Sequence, residues 1–224
     1  ITLTGTLTDQ AWINNTATID ADFADARPES DSATVSFYLN GIRFVKRNAP
    51  GPEHNGLNWT TAYLTVQDAL AAAQPGDEIW VAEGTYWSDE GGGQADNNPN
   101  STFRLVNDLT IYGGFAGNET ALAQRNWTQN VTVLSGDLTK DDLLNNLGIL
   151  TDTANLRGVN ARHVISATNL NSTAIRDGFT ITAGDAYTNG GGLLNNNGSP
   201  TLANLVFSGN RAGALGGGMA NISN

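Results

Sequence analysis

The sequence predicts an all-β chain built as a parallel β-helix, a β-solenoid in which short strands stack coil upon coil. Three observations carry that prediction. The first is composition. Charged residues make up 15% of the 224 positions, where about 25% is ordinary, and 27 Asn and 25 Thr fill the gap. Helix surfaces favour Glu, Lys, Gln and Arg, whereas Thr suits strands and Asn suits turns. The second is punctuation: from residue 78 onward, short apolar runs are separated by Gly, Asn and Asp. The third is an internal repeat. Shifting residues 173–198 by 26 lays them on 199–224, so that Gly190–Gly192 meets Gly216–Gly218. Leu193 then meets Met219, Asn195 meets Asn221, Phe179 meets Leu205, Ile181 meets Phe207, and Ala186 meets Ala212. A propeller blade needs about 40 residues, so this shorter period suits one solenoid coil. A coil cannot bury its inner face alone, and coils therefore stack about 4.8 Å apart.

Three segments are expected. Residues 1–47 form an antiparallel β extension. Ala17, Ile19, Ala21 and Phe23 alternate with polar residues, as do Ala33, Val35, Phe37 and Leu39. Asn40–Gly41 is a hairpin signal that would set Leu39 opposite Ile42 and Phe37 opposite Phe44. Residues 48–77 hold a Pro/Gly/Asn-rich loop and one helix. Thr65 caps that helix, Val66, Ala69, Leu70 and Ala73 share a face, and Pro75–Gly76 ends it. Such a short helix is marginal alone and must lie against something larger. Residues 78–224 form the solenoid, with strands at Glu78–Ala82, Phe103–Val106, Leu109–Tyr112, Val131–Leu134, His163–Ser166, Phe179–Thr182, Leu202–Ser208 and Gly218–Asn221.

Charge excludes several functions. The net charge is −11, with two lysines and nine arginines, and Lys46–Arg47 is the one adjacent basic pair. No phosphate-neutralising surface for nucleic acid can be built from this set, and an anionic membrane surface is disfavoured. No apolar run approaches the ~20 residues that span a bilayer, so membrane insertion is not expected. Cysteine is absent, which removes thiol chemistry and thiolate metal sites. No secretory signal is legible, so Ile1 is read as a mature end or an internal boundary.

Several segments carry a family resemblance. GDEIWVAEGTYW (Gly76–Trp87) resembles the first coil of bacterial right-handed parallel β-helix proteins of the pectin-lyase-like superfamily, in which a helix like Thr65–Gln74 caps the first end. LTIYGGFAGNET (Leu109–Thr120), RNWTQNVTVLSGDL (Arg125–Leu138) and IRDGFTITAGDA (Ile175–Ala186) are similar to successive segments of large bacterial surface and secreted β-helix proteins. FSGN (Phe207–Asn210) and the glycine triplets resemble repeats of polymorphic outer-membrane adhesins. The resemblance covers about residues 37–224. It implies a right-handed coil, an extracellular or cell-surface location, and a structural, adhesive or carbohydrate-binding role. It does not settle activity, because function lives in the site and not in the fold.

The residues offer few candidates for chemistry. Asp137, Asp141 and Asp142, with Lys140 among them, form the densest acidic segment and the one candidate for a calcium site. No other cofactor is expected. Their spacing fits neither an EF-hand nor the glycine-rich solenoid calcium repeat, and a solvated loop is the simpler reading. Asp177 beside Arg176 on a strand could serve catalysis, against the plainer reading of an exposed ion pair or turn. His54 and His163 are far apart, so no zinc cluster exists, and His163 is expected at a packed or hydrogen-bonded rung position. The glycine triplets precede no Lys-Ser/Thr and are read as turns at positive φ. Trp12, Trp59, Trp80, Trp87 and Trp127 could stack on sugars, with burial in core or cap the default. Asn-x-Ser/Thr triplets begin at Asn14, Asn58, Asn100, Asn118, Asn126, Asn130, Asn171, Asn197 and Asn221, roughly twice the number that composition predicts. They are glycosylation candidates, or the trace of a turn-then-strand grammar.

A stacked solenoid exposes backbone edges at an uncapped end. The helix can cap the first end, while the repeat runs to Asn224 with no capping segment. The segment 1–36 is a candidate strand donor to that edge in a neighbouring copy, which would make head-to-tail filaments. The function expected is therefore an extracellular, non-catalytic surface protein, structural or adhesive and self-associating. The alternative is a secreted polysaccharide lyase or hydrolase, or a carbohydrate-binding β-helix fragment.

Overall fold

A computed structural model of the chain describes the backbone of Ile13–Thr18 and Ser32–Phe37, and residues 41–223 in full. The chain divides into two compact units at Gly41/Ile42. In the first, strand β1 (Ile13–Thr18) pairs antiparallel with β2 (Ser32–Phe37), Ile13 opposite Phe37 and Thr18 opposite Ser32.

The second unit is strand-rich, with one α-helix and sheets whose named strands pair only in parallel. Its strands are β3 (Ile42–Val45), β4 (Glu78–Ala82), β5 (Gly84–Trp87), β6 (Phe103–Arg104), β7 (Thr110–Phe115), β8 (Thr132–Ser135) and β9 (Ile165–Thr168). They are followed by β10 (Ile175–Thr182), β11 (Asp185–Ala186), β12 (Leu193–Asn196), β13 (Thr201–Ser208), β14 (Arg211–Ala212) and β15 (Met219–Ile222). The strands stack in columns. The first column runs β3, β4, β7, then the first half of β10. The second runs β5, β8, then the second half of β10. Strand β13 lies along the whole of β10, and a third column runs β6, β9, β12, β15.

The 26-residue repeat reappears as strand register. Phe179 pairs with Leu205 and Ile181 with Phe207. Ala186 pairs with Ala212, Leu193 with Met219 and Asn195 with Asn221. Earlier rungs pair in the same columns at other spacings, Glu78 with Thr110 and Thr110 with Ile175, and the register of β4 on β7 shifts by one residue between Trp80 and Ala82. The extra residues sit in loops between columns, where insertion is tolerated.

Inward side chains form continuous rows. One runs Tyr86, Leu134, Ile181, Phe207, and another Phe103, Ile165, Leu193, Met219. Their members up to Ile181 and Leu193 make the core, with Phe179, Ile111 and Val81, and Phe207 packs against it. Four strands, β5, β11, β12 and β14, are not among those read from the sequence, and all but β5 fall within the repeat. Their apolar residues are too few for a period-two pattern.

The first end of the stack is covered. Helix α1 (Val66–Ala72) buries Val66 and Ala69 and packs Leu70 and Ala73 on the core, as its periodicity predicts. Thr65 Oγ1 accepts the Asp68 N–H at 3.1 Å and donates to Asp68 Oδ2 at 2.6 Å. The loop before it lies along the outer edge of β3: the Phe44 N–H donates to the Gly56 carbonyl, and the Tyr63 N–H donates to the Phe44 carbonyl. This corrects the hairpin expected at Asn40–Gly41. Phe44 pairs with Trp80 and Phe37 with Ile13, so both edges of β3 are taken and no Phe37–Phe44 pair forms. The parallel sheet accordingly starts at Ile42, not Glu78.

The glycine triplets do two jobs. Gly190 and Gly216 turn at φ 69° and 64°, a region closed to most side chains. Gly191 lacks positive φ, but a Cβ there would collide with the Arg211 carbonyl of the next coil. Burial falls along the last rung: Leu193 is 0% exposed and Met219, above it in the same row, is 37% exposed. Among the described residues nothing pairs with the far edge of β13. The stacking therefore predicts that Leu193→Ala costs about 2–5 kcal/mol in urea unfolding, and Met219→Ala less than half as much. Equal costs would contradict it.

Candidate functional site

Two polar clusters stand out, one in a loop and one on the outer sheet face. The loop cluster is the acidic triad. Asp137, Asp141 and Asp142 place one carboxylate oxygen each within 4.8 Å of one another. Asp137 Oδ1 accepts the Asp141 N–H at 3.1 Å, and Oδ2 accepts the Asp142 N–H at 3.3 Å. Asp142 accepts the Arg157 N–H and, at 2.8 Å, the Asn160 side-chain amide. Asp141 Oδ1 accepts the Thr139 hydroxyl at 2.6 Å. Five of the six carboxylate oxygens thus close the loop on its own donors. Three carboxylates at this spacing suit a hard divalent cation such as Ca²⁺, which would take its remaining oxygens from backbone carbonyls or water. The observed role is to tie residues 137–142 to 157–160.

Burial, and then the charge of Asp142, push the Asp137 carboxyl above its ordinary range. Burial, partly offset by the Arg157 and Asn160 hydrogen bonds, also pushes Asp142 up. A carboxyl raised on folding takes up a proton as the chain folds. Its cost is absent below the unfolded pKa and complete above the folded one, so stability falls as pH rises through that window. Asp141→Asn removes one of the like charges. It is predicted to raise the urea midpoint at neutral pH and to have no effect below the ordinary carboxylate range. A rise that persists when the carboxyls are protonated would contradict the electrostatic account.

The second cluster lies outward on β7, β10 and β13. Alternation along β10 separates the pair considered in the sequence: Arg176 turns inward and Asp177 outward. Asp177 instead meets Arg125, 52 residues away, with Nη2 2.5 Å from Oδ2. The Asn204 amide donates to the other oxygen at 2.7 Å. The Arg125 guanidinium lies 4.9 Å from the Tyr112 ring centroid. The plainer reading of Asp177, an ion pair, is what is seen, though with a different and half-buried partner. No local signal could have found Arg125, because the loop that carries it is an insertion.

Beside this pair runs an open groove of about 250 Å³ lined by Trp127, Thr132, Thr180, Asn204 and Val206. Trp127 is the exposed indole of the described set. Trp80 stacks on Phe115 at 4.7 Å, and its Nε1 donates to Glu78. Trp59 packs edge-on to Phe44, and its Nε1 donates to the Glu119 carbonyl. Trp87 lies under two cations, Arg47 at 4.3 Å and Lys140 at 4.6 Å, which share Glu90. Trp12 lies outside the described residues. The burial default thus holds for Trp80, while Trp59 and Trp87 are half-buried.

His163 Nδ1 sits 2.9 Å from the Gly190 carbonyl. An acceptor there makes Nδ1 the protonated nitrogen, and the ring ties one coil to the next. His54 Nδ1 does the same locally with the Ala62 carbonyl at 3.0 Å. The sequons have a backbone explanation. Oδ1 of Asn58, Asn126 and Asn171 accepts the N–H two residues on, at Thr60, Thr128 and Thr173. These are Asx turns, which place Asn before Thr for reasons independent of glycans. Asn58, Asn100, Asn118, Asn126, Asn171, Asn197 and Asn221 are exposed, whereas Asn130 is half-buried, its amide donating to the Gly114 carbonyl. Asn14 lies on β1, where only the backbone is described.

Among the described residues no helix is long and apolar enough to cross a membrane. No protein-family model, no curated protein and no solved structure matches the chain.

Proposed function

We propose that the chain is part of a right-handed parallel β-helix protein of the cell exterior, structural or adhesive in role and not catalytic. The observation that carries the reading is the in-register pairing of the residues of β10, β11 and β12, all but Gly178, with the residues 26 places later. The rungs are tied by ladders of like position. The Asn195 amide donates to Asn221 Oδ1 at 2.7 Å, and Arg211 forms two bonds with Asp185. Such ladders fix register along a stack and leave little side-chain freedom for chemistry. Asp177, the one acid weighed for catalysis, has both oxygens engaged.

Self-association belongs to the same proposal. The far edge of β13 offers unpaired backbone groups, and strand addition from residues 1–36 of another copy would satisfy them. A second reading, carbohydrate binding, is favoured by one feature: exposed Trp127 flanked by hydroxyls and an amide in the outer groove. Electron microscopy of the purified protein separates these. Filaments are expected from the full chain and none after deletion of residues 1–36. Filaments that survive the deletion would overturn the donor-strand proposal. Release of unsaturated uronate from acidic polysaccharides would overturn the non-catalytic reading.

A further inference from the structure

Arg176 belongs to an inward row that runs Arg43, Ile79, Ile111, Arg176, Leu202. The fold treats the two arginines of that row differently. Arg43 donates from Nε to buried Asp77 at 3.1 Å. Arg176 is completely buried, and its Nε, Nη1 and Nη2 have no hydrogen-bond partner among the described residues. The face of Phe179 lies 5.4 Å from its Cζ. One ring face returns much less than it costs to strip a cation of water. Loss of the proton does not resolve the problem. Burial lowers the guanidinium pKa only to about 9, so the group stays charged at neutral pH.

A buried charge is stable only when paired, and buried donors are almost always satisfied. We propose that the interior of the stack holds one small inorganic anion of the halide class on the Arg176 guanidinium, between the Ile111 and Leu202 rungs. The chemistry sets the class. One guanidinium balances one negative charge. Its row neighbours Ile111 and Leu202, and Phe179 beside it, carry no donors that could complete the shell of a phosphate or sulfate. Complete exclusion of the side chain from solvent favours the smallest monovalent anion over an organic acid.

Bromide serves as the probe. Crystals of the full chain grown in sodium bromide should show an anomalous peak in hydrogen-bond contact with the Arg176 guanidinium. Thermal unfolding at constant ionic strength, balanced with gluconate, which is too large to enter, should rise with bromide. At a hundredfold excess over Kd the rise should be about 5–10 °C. Arg176→Leu restores the character of its row neighbours and should abolish that dependence, as should Arg176→Met. Waters alone or a protein carboxylate at the guanidinium would overturn the proposal. So would an equal bromide response in the wild type and the Leu variant.

Discussion

Everything in the second unit depends on burial supplied from the neighbouring coil. An inward side chain such as Ile181 or Leu193 is shielded by the rungs above and below it, because its own coil offers it little to pack against. That constraint explains why cover matters at the first end. Without α1 and the loop at residues 56–63, the β3 and β4 rung would present Val45, Ile79 and Val81 to water. It explains equally why Met219 and Leu215 are exposed at the other end.

Polar side chains work alongside the apolar rows. A one-residue slip would turn the inward apolar rows outward, and a ladder such as Asn195–Asn221 is satisfied in one register only, so the two fix register together. The exposed Arg211–Asp185 pair adds little stability, about 0–1 kcal/mol, yet it sits on the same 26-residue offset. The inserted loop 137–160 is bound to the stack in the same manner. The Leu150 N–H donates to Thr182 Oγ1, and the Leu150 carbonyl accepts from Ser208 Oγ, so one loop residue touches two successive coils.

Legibility in the sequence followed the range of the interactions. The helix was plain because Thr65, Val66, Ala69 and Pro75 lie within one window. The stack between 173 and 224 was plain because neighbouring coils share length and therefore show as a repeat. The rungs before it were harder: the insertions between β7 and β10 hide a common register behind unequal spacing. The pairing expected across Asn40–Gly41 gives way to the partners β3 has on both edges, and Asn40 itself lies outside the described residues. The outer cluster was half legible. Asp177 stands out beside Arg176 in the sequence, but its partner Arg125 comes from a distant loop, and Arg176 faces the other way. The acidic triad was visible as composition, while its use as a set of hydrogen-bond acceptors was not.

The most direct measurement takes advantage of a chain without cysteine. Thr180 and Val206 pair across β10 and β13 and face outward. Nitroxide labels on cysteines at these two positions should lie about 5 Å apart at the backbone and broaden each other's spectrum strongly. Labels at 180 and 194, on different columns, should not. Sharp, independent spectra from the 180/206 pair would contradict the stacking from which every functional statement above is built.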